Sequence, residues 1–144
     1  MIEDIRLQQL TDWIHREWPE ATLEVASADA SFRRYFRVLN DGRTCIAMDA
    51  PPEKEDSSPF IDVTTRLLNA NVHAPKIIRQ DLDLGFLLLE DLGSKDYLDY
   101  LNPETADQLY SDAMQALLNI QRADTQNLPI YDACLLYTSP SPRD

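Results

Sequence analysis

Residues 33–50 read RRYFRVLNDGRTCIAMDA, and this stretch decides the fold. Two runs rich in β-branched, aromatic and other apolar residues flank the triplet Asn40-Asp41-Gly42. Because glycine accepts a positive φ and Asn or Asp tolerates one, such a triplet between two strand-like runs is a strong hairpin signal. The stretch therefore predicts two antiparallel strands.

Upstream of this hairpin the hydrophobic period changes twice. Residues 22–27, TLEVAS, alternate with Leu23 and Val25 on one face, which predicts a third strand. Residues 2–20 instead carry apolar side chains at helical spacing, and Pro19 ends that helix. The apolar residues of the helix are Leu10, Trp13, Ile14 and Trp18.

Downstream, PPEKEDSSP is a polar, proline-bounded loop, and Ser58 followed by Pro59 predicts a helix with Ser58 as its N-cap. Asn71 is its predicted stop. The predicted apolar stripe of this helix is Phe60, Val63, Leu67 and Leu68. Two further strands, KIIRQD (76–81) and FLLLED (86–91), follow with a short turn between them.

Two helices are predicted after Gly93. The segment SKDYLDYL (94–101) predicts a short helix, and residues 102–121 predict a long one with Asn102 as its cap and Pro103 at the first position. The apolar face of the long helix is Ala106, Leu109, Tyr110, Ala113 and Leu117. The order of elements predicts an α+β fold with five antiparallel strands, one inserted helix and a helical continuation.

Composition limits the function classes. A chain of 144 residues with 44% hydrophobic residues can form one globular core. Its formal net charge of −12 repels phosphate backbones and anionic lipids, so nucleic acid and membrane are disfavoured as partners. The polar, acidic start MIEDIRLQQL is unlike a signal peptide, and no apolar run has membrane-spanning length. We expect a cytoplasmic location.

The last eleven residues, CLLYTSPSPRD (134–144), differ in composition from the rest. They fit the in-frame translation of a transposon adapter used in sequencing libraries, so we interpret them as cloning or sequencing debris and leave them out of the fold. The alternative is a natural disordered tail rich in Ser and Pro. On the first interpretation the natural sequence breaks off near Ala133, and Cys45 is its one cysteine. A disulfide framework and a metal site are then not expected.

Four segments carry a resemblance to a known family. SADASFRRYFRV (27–38), IAMDAPPEKEDSSPF (46–60), HAPKII (73–78) and GFLLLEDLG (85–93) together resemble the aminoglycoside phosphotransferase family, which has a protein-kinase-like fold. Within it they are most similar to the anomeric kinases of N-acetylmuramate and N-acetylglucosamine. The resemblance implies an N-terminal nucleotide-binding lobe over residues 1–93 and the start of an incomplete helical lobe over 94–133.

The resemblance also implies ATP and Mg²⁺ as cofactors and a sugar as the substrate. The aspartate that orients the sugar hydroxyl and the Mg²⁺ ligands of this family lie in the helical lobe, so we assign no catalytic or metal-binding residue here and expect this chain to be inactive. Two alternatives stay open: an aminoglycoside, choline or homoserine kinase of the same family, and a non-catalytic pseudokinase or interaction module. The oligomeric state is not readable from the sequence.

By resemblance, the loop between the first two strands covers the nucleotide phosphates with its backbone N–H groups. The residues of this loop are Ser27, Ala28, Asp29, Ala30 and Ser31. The same resemblance implies that main-chain groups from about Glu90 to Leu92, with Asp91 between them, form the hinge that binds adenine. Ile46 and Leu88 are candidate apolar walls against the base.

The third strand departs from the family pattern. Such folds present a lysine or arginine there, whereas the alignment of CIAMDAPP puts Asp49 in that position. We therefore consider Arg33, Arg34 and Arg37 as substitutes for the missing base. Strand alternation sends Arg33 and Arg37 to one face and Arg34 to the other. Asp62 is the acidic residue nearest to the position of the helix glutamate of such folds, although it can equally serve the helix dipole.

Overall fold

A computed structural model describes residues 4–28 and 32–129. Five antiparallel strands form one sheet in the order β1-β2-β3-β5-β4, which confirms the predicted α+β fold. The strands are β1 (Thr22–Ala28), β2 (Arg34–Asn40), β3 (Arg43–Asp49), β4 (Ile77–Asp81) and β5 (Phe86–Glu90). The helices are α1 (Ile5–His15), α2 (Ser58–Asn69), α3 (Tyr97–Tyr100) and α4 (Ala106–Gln121).

Two turns with positive φ set the strand register. Asp41 and Gly42 have φ of 48° and 74°, so they form the two-residue β2–β3 hairpin that pairs Asn40 with Arg43. At the second turn Gly85 has a φ of 73°, and its carbonyl accepts the N–H of Ala50 at 2.8 Å. A Cβ on Gly85 would lie 2.0 Å from the Ala50 carbonyl oxygen, so glycine is required there by both conformation and space.

The two faces of the sheet carry separate cores. One core packs α1 against the sheet through Leu10, Trp13 and Ile14, with Trp13 and Phe86 rings 5.8 Å apart. Strand residues complete it: Phe36, Val38, Ala47, Phe86 and Leu88. The other core, on the α2 face, is formed by Met48, Ala50, Leu87 and Leu89, with Phe60 and Ile61 of α2 packed against it. Alternation along β3 and β5 therefore assigns each residue to one of two distinct environments.

The helix starts differ from the prediction by a few residues. Helix α2 begins at Ser58 with Ser57 as its N-cap, so the predicted cap lies inside the helix and Pro59 follows it. Helix α4 begins at Ala106, because the Asn102 side chain accepts the N–H groups of Glu104 and Thr105 and closes a separate turn first. Val63, predicted for the apolar stripe of α2, is 41% exposed.

Helices α3 and α4 leave most of their large apolar side chains exposed. Within the described residues, neither helix contains a buried residue. The large exposed apolar side chains of α4 are Tyr110, Met114, Leu117, Leu118 and Ile120. No helix in ranges 4–28 and 32–129 has the length and apolar character needed to cross a bilayer.

Candidate functional site

An open pocket of about 420 Å³ lies on the α2 face of the sheet, next to the segment that follows β5. Arg37 of β2, Ile46 of β3 and Leu89 of β5 form its floor, and residues 91–94 form one edge. The full lining is Ala26, Tyr35, Arg37, Ile46, Pro75, Leu89, Glu90, Asp91, Leu92, Gly93 and Ser94. Apolar walls beside an accessible main-chain segment suit a flat heterocycle that also needs directional hydrogen bonds.

Five of the sequence-predicted site residues meet at this pocket. Glu90, Asp91 and Leu92 lie at its edge, and Arg37 and Ile46 lie on its floor. Glu90 is tied to the preceding segment, since its N–H donates to the Lys76 carbonyl at 2.8 Å. The predicted hinge is therefore anchored at the end of β5.

An ion pair in the pocket joins Arg37 to Asp91. Arg37 Nε donates to Asp91 Oδ2 at 2.8 Å, and Arg37 Nη2 lies 3.4 Å from Oδ1. The Arg37 hydrogen bonds lower the pKa of Asp91, with smaller contributions in the same direction from the Gly93 N–H and the Thr44 hydroxyl. The same pairing raises the pKa of Arg37. Both side chains are therefore charged at neutral pH.

The predicted phosphate loop lies at the boundary of the described residues. Ser27 and Ala28 end β1, whereas Asp29, Ala30 and Ser31 lie outside the part of the chain that the structure describes. The neighbouring Ala26 lines the pocket. The strand that leads into the predicted loop therefore borders the pocket.

Arg34 and Arg37 on β2 and Arg33 just before it have different partners. Arg34 lies on the α1 face, where it binds Asp49, and Arg37 lies on the pocket face, as strand alternation predicts. Arg33 forms an ion pair with Glu55 at 3.3 Å and lies over the Phe60 ring of α2. Arg33 is thus beside α2, outside the lining of the 420 Å³ pocket.

Asp49 does not lie where the sequence alignment predicts it. Its carboxylate is fully buried on the α1 face, where Arg6 of α1 binds Oδ1 and Arg34 binds Oδ2 at 2.6 Å. Because side chains alternate along β3, Ile46 and Met48 point to the pocket face, and Asp49 points away from it. Asp49 is therefore a neutralised structural carboxylate and does not occupy the place of the strand lysine.

The prediction for Leu88 is also wrong, because its side chain belongs to the core under α1. Its neighbour Leu89 pairs with Ile46 and lines the pocket in its place. Tyr35 and Pro75 are pocket residues that the sequence analysis missed. Tyr35 is two residues from Arg37 on the same strand, so alternation alone could have identified it.

Two acidic features of the described residues bear on metal binding. Asp62, considered as the helix acid, pairs with Arg66 of the same helix at 2.9 Å. Within ranges 4–28 and 32–129, no group of three or more His, Cys, Asp or Glu side chains is placed to hold a metal ion.

Comparison with known proteins agrees with this architecture. Residues 22–133, which include the whole sheet and the pocket, match the phosphotransferase enzyme family. The chain belongs to this family. The match covers most of the 144 residues and ends one residue before the segment CLLYTSPSPRD.

Family members with curated names are similar over nearly the whole chain. An N-acetylmuramate/N-acetylglucosamine kinase of Pseudomonas aeruginosa is 46% identical across 94% of this chain and 44% of its own length. The kinase of the same name from Pseudomonas putida is 47% identical across 92% of this chain and 43% of its own length. The kinase of the same name from Neisseria meningitidis is 35% identical across 86% of this chain and 39% of its own length. The chain thus spans less than half the length of these relatives.

Proposed function

We propose that the chain is the nucleotide-binding part of an ATP-dependent sugar kinase. The observation that carries the proposal is the 420 Å³ pocket, whose floor includes the apolar side chains of Ile46 and Leu89 and whose edge is the main chain after β5. Adenine fits such a site because it offers flat faces to Ile46 and Leu89 and a polar edge to the hinge. The phosphates would then extend toward the end of β1.

The acceptor in this proposal is the anomeric hydroxyl of N-acetylmuramate or N-acetylglucosamine, in cell-wall recycling. Support comes from the relatives, which carry the name N-acetylmuramate/N-acetylglucosamine kinase at 46% and 47% identity. A cytoplasmic location fits a reaction that uses ATP. The net charge of −12 favours small-molecule ligands over nucleic acid or anionic membrane.

Phosphoryl transfer needs more than a nucleotide site. It needs a group that orients the attacking hydroxyl and ligands for Mg²⁺, which supplies charge neutralisation when bound. The chain spans 44% of the Pseudomonas aeruginosa relative, and the described residues offer no acidic cluster for a metal. We therefore assign those groups to the rest of the protein and expect the 144-residue chain alone not to transfer phosphate.

Of the alternatives, a pseudokinase would be favoured by a carboxylate at the position of the strand lysine. Asp49 gives it no support, because its carboxylate lies on the other face of the sheet, neutralised by Arg6 and Arg34. Kinases for aminoglycosides, choline or homoserine would share the same nucleotide pocket, so the acceptor has to be tested by product analysis.

The first test is nucleotide binding by the chain itself. A fluorescent ADP analogue, displaced by ATP, measures affinity at dilute protein concentration. Replacing Ala26 by Trp fills the pocket and should weaken binding by about tenfold or more. Val25→Trp is the matched control, since Val25 is 75% exposed and is not part of the pocket lining. If Ala26→Trp bound ATP as tightly as Val25→Trp, binding at this pocket would be refuted.

The second test addresses the acceptor. Residues 1–129 are joined to the remaining part of the Pseudomonas aeruginosa relative, and the product of ATP with each sugar is identified by ³¹P NMR. A sugar 1-phosphate is the expected product, and the 144-residue chain alone should give none. Phosphorylation of an aminoglycoside or choline in place of either sugar would contradict the assigned substrate.

A further inference from the structure

The Arg37–Asp91 pair joins the sheet to the hinge. Arg37 is on β2 and Asp91 follows β5, and β3 lies between these two strands. The Arg37 side chain therefore reaches across β3 to make its bond of 2.8 Å. A single ion pair thus fixes the distance between the second strand and the hinge.

Asp91 also shapes the hinge itself. Its Oδ1 accepts the N–H of Gly93 at 2.8 Å, and Gly93 has a φ of 89°. An aspartate that binds the N–H two residues later holds a tight local turn. The orientation of the main chain at residues 91–93, which edges the pocket, therefore depends on this carboxylate.

Burial argues against a purely stabilising role. The Asp91 side chain is 6% exposed and the Arg37 side chain 31% exposed, so both charges are partly removed from water. Such pairs gain little over apolar residues of the same size, because desolvation offsets the Coulomb attraction. The pair is also in the pocket lining, where Arg37 neutralises a carboxylate that would otherwise repel an anionic ligand.

We propose that Arg37 and Asp91 are positioning residues that hold the hinge in its nucleotide-accepting shape, with Arg37 neutralising the Asp91 carboxylate beside the pocket. This inference rests on the proposed nucleotide-binding function. It assigns the pair no contact with the reacting phosphates. Loss of the pair should loosen residues 91–94 before any nucleotide is added.

The two partners should differ in their effects. Asp91→Asn removes the charge that holds Arg37 and leaves the guanidinium unpaired, whereas Arg37→Met leaves the Asp91 carboxylate unpaired beside an anionic ligand. We expect Asp91→Asn to weaken ATP binding about tenfold and Arg37→Met to weaken it more. In the double variant the losses should be less than additive, because the second substitution removes the unpaired carboxylate. Arg37→Lys keeps the positive charge but lacks the planar guanidinium that contacts both carboxylate oxygens, so it should lose an intermediate amount of ATP affinity.

The experiment combines hydrogen exchange of the nucleotide-free chain with ATP titration. Asp91→Asn should speed the exchange of the hinge amides at residues 92–94 by releasing Arg37. Asp91→Ala, which also removes the acceptor of the Gly93 N–H, should speed it about tenfold, in parallel with its loss of ATP affinity. Glu17→Gln is the matched control. It removes the same charge from the Arg79–Glu17 pair, which lies away from the pocket, and should change neither readout. Thermal unfolding of each variant confirms that it is folded at the temperature of the titration.

The outcomes separate this inference from the function on which it rests. Unchanged hinge exchange in both Asp91→Asn and Arg37→Lys would overturn the inference. So would faster exchange with unchanged ATP affinity, because the pair would then be structural only. A wild-type chain that binds neither ATP nor ADP would instead overturn the proposed function, whatever the exchange of the hinge shows.

Discussion

Arg34 Nη2 donates to Asp49 Oδ2 at 2.6 Å, and the Asp49 side chain that accepts this bond is completely shielded from water. Arg6 of α1 binds the other carboxylate oxygen and also donates to the Leu84 carbonyl at 2.9 Å. Asp4 holds Arg34 from the other side. This network fastens α1 to β2 and β3, and it leaves Asp49 turned away from the nucleotide pocket.

The first prediction follows from this burial. Asp49→Asn should lower the free energy of unfolding by about 3 kcal/mol, because Arg6 and Arg34 lose the carboxylate that neutralises them. Urea denaturation at neutral pH measures the change. Asp62→Asn is the comparison variant. It breaks the exposed pair with Arg66 in α2, and it should cost about 0.5 kcal/mol or less.

The same Asp49→Asn variant tests the corrected position of this residue. Because Asp49 points to the α1 face, nucleotide affinity measured well below the unfolding midpoint should equal that of the wild type. A clear change in affinity in the folded variant would place the carboxylate back in the nucleotide site.

The second prediction concerns the two turn glycines. Gly85→Ala should destabilise the protein by about 3 kcal/mol or more, since its Cβ would meet the Ala50 carbonyl oxygen at 2.0 Å and the φ of 73° adds strain. Gly42→Ala has a similar φ of 74° but open space around it, so strain alone should cost about 1 kcal/mol. Equal urea midpoints for the two variants would contradict this prediction, because the structure would then have relieved the contact between the new Cβ at position 85 and the Ala50 carbonyl oxygen.

The fold could be predicted from the sequence because the signals for turns and for the ends of helices and strands are local. The positive φ of Gly42 and Gly85 sets both hairpins, and the change from helical to alternating period separates α1 from β1. The helix starts were less accurate, because side-chain turns before α2 and α4 compete with the helix for the same N–H groups. Local propensity does not decide that competition.

The site was harder to predict, for a reason visible in two strands. The β5 run FLLLE is apolar on both faces, so the alternation of side chains along a strand cannot show which leucine faces the pocket. The sequence therefore gives no reason to prefer Leu89 over Leu88, whose side chain lies in the core under α1. In β3, Ile46 and Asp49 are three residues apart and must lie on opposite faces, which already conflicted with placing both at the nucleotide. The Arg37–Asp91 pair joins residues 54 positions apart, and no local pattern reveals it.

The third prediction is a pH dependence of stability. The pKa of Asp91 is lowered by Arg37, so folding favours the ionised carboxylate. Its stabilisation is present above the ordinary aspartate pKa of about 3.9 and is lost as the pH falls through the lower folded-state value. The free energy of unfolding of the wild type should therefore exceed that of Asp91→Asn at pH 7, and the difference should shrink as the pH falls below about 4. A difference independent of pH down to acid unfolding would contradict this assignment.

The fourth prediction concerns self-association through α4. Met114 and Leu117 are each 59% exposed on a helix without buried residues, and contiguous apolar surface of this kind drives association. Replacing both by Lys should lower the apparent mass in light scattering. Gln108→Lys with Gln115→Lys adds the same charge on the same helix outside the apolar residues and should have a smaller effect. A wild type that is monomeric at high concentration would contradict the prediction.

The last prediction uses Cys45 as a reporter of the Asp91 charge. Burial raises the pKa of the Cys45 thiol, and the nearby Asp91 carboxylate raises it further. Because the thiolate is the reactive form, alkylation by iodoacetamide should be slow at pH 8 compared with a free cysteine. In a Cys134→Ser background, Asp91→Asn should speed the reaction by removing the negative charge, whereas Glu17→Gln should not. If Asp91→Asn leaves the rate unchanged while unfolding in denaturant accelerates it, burial alone protects the thiol and the charge of Asp91 does not reach it.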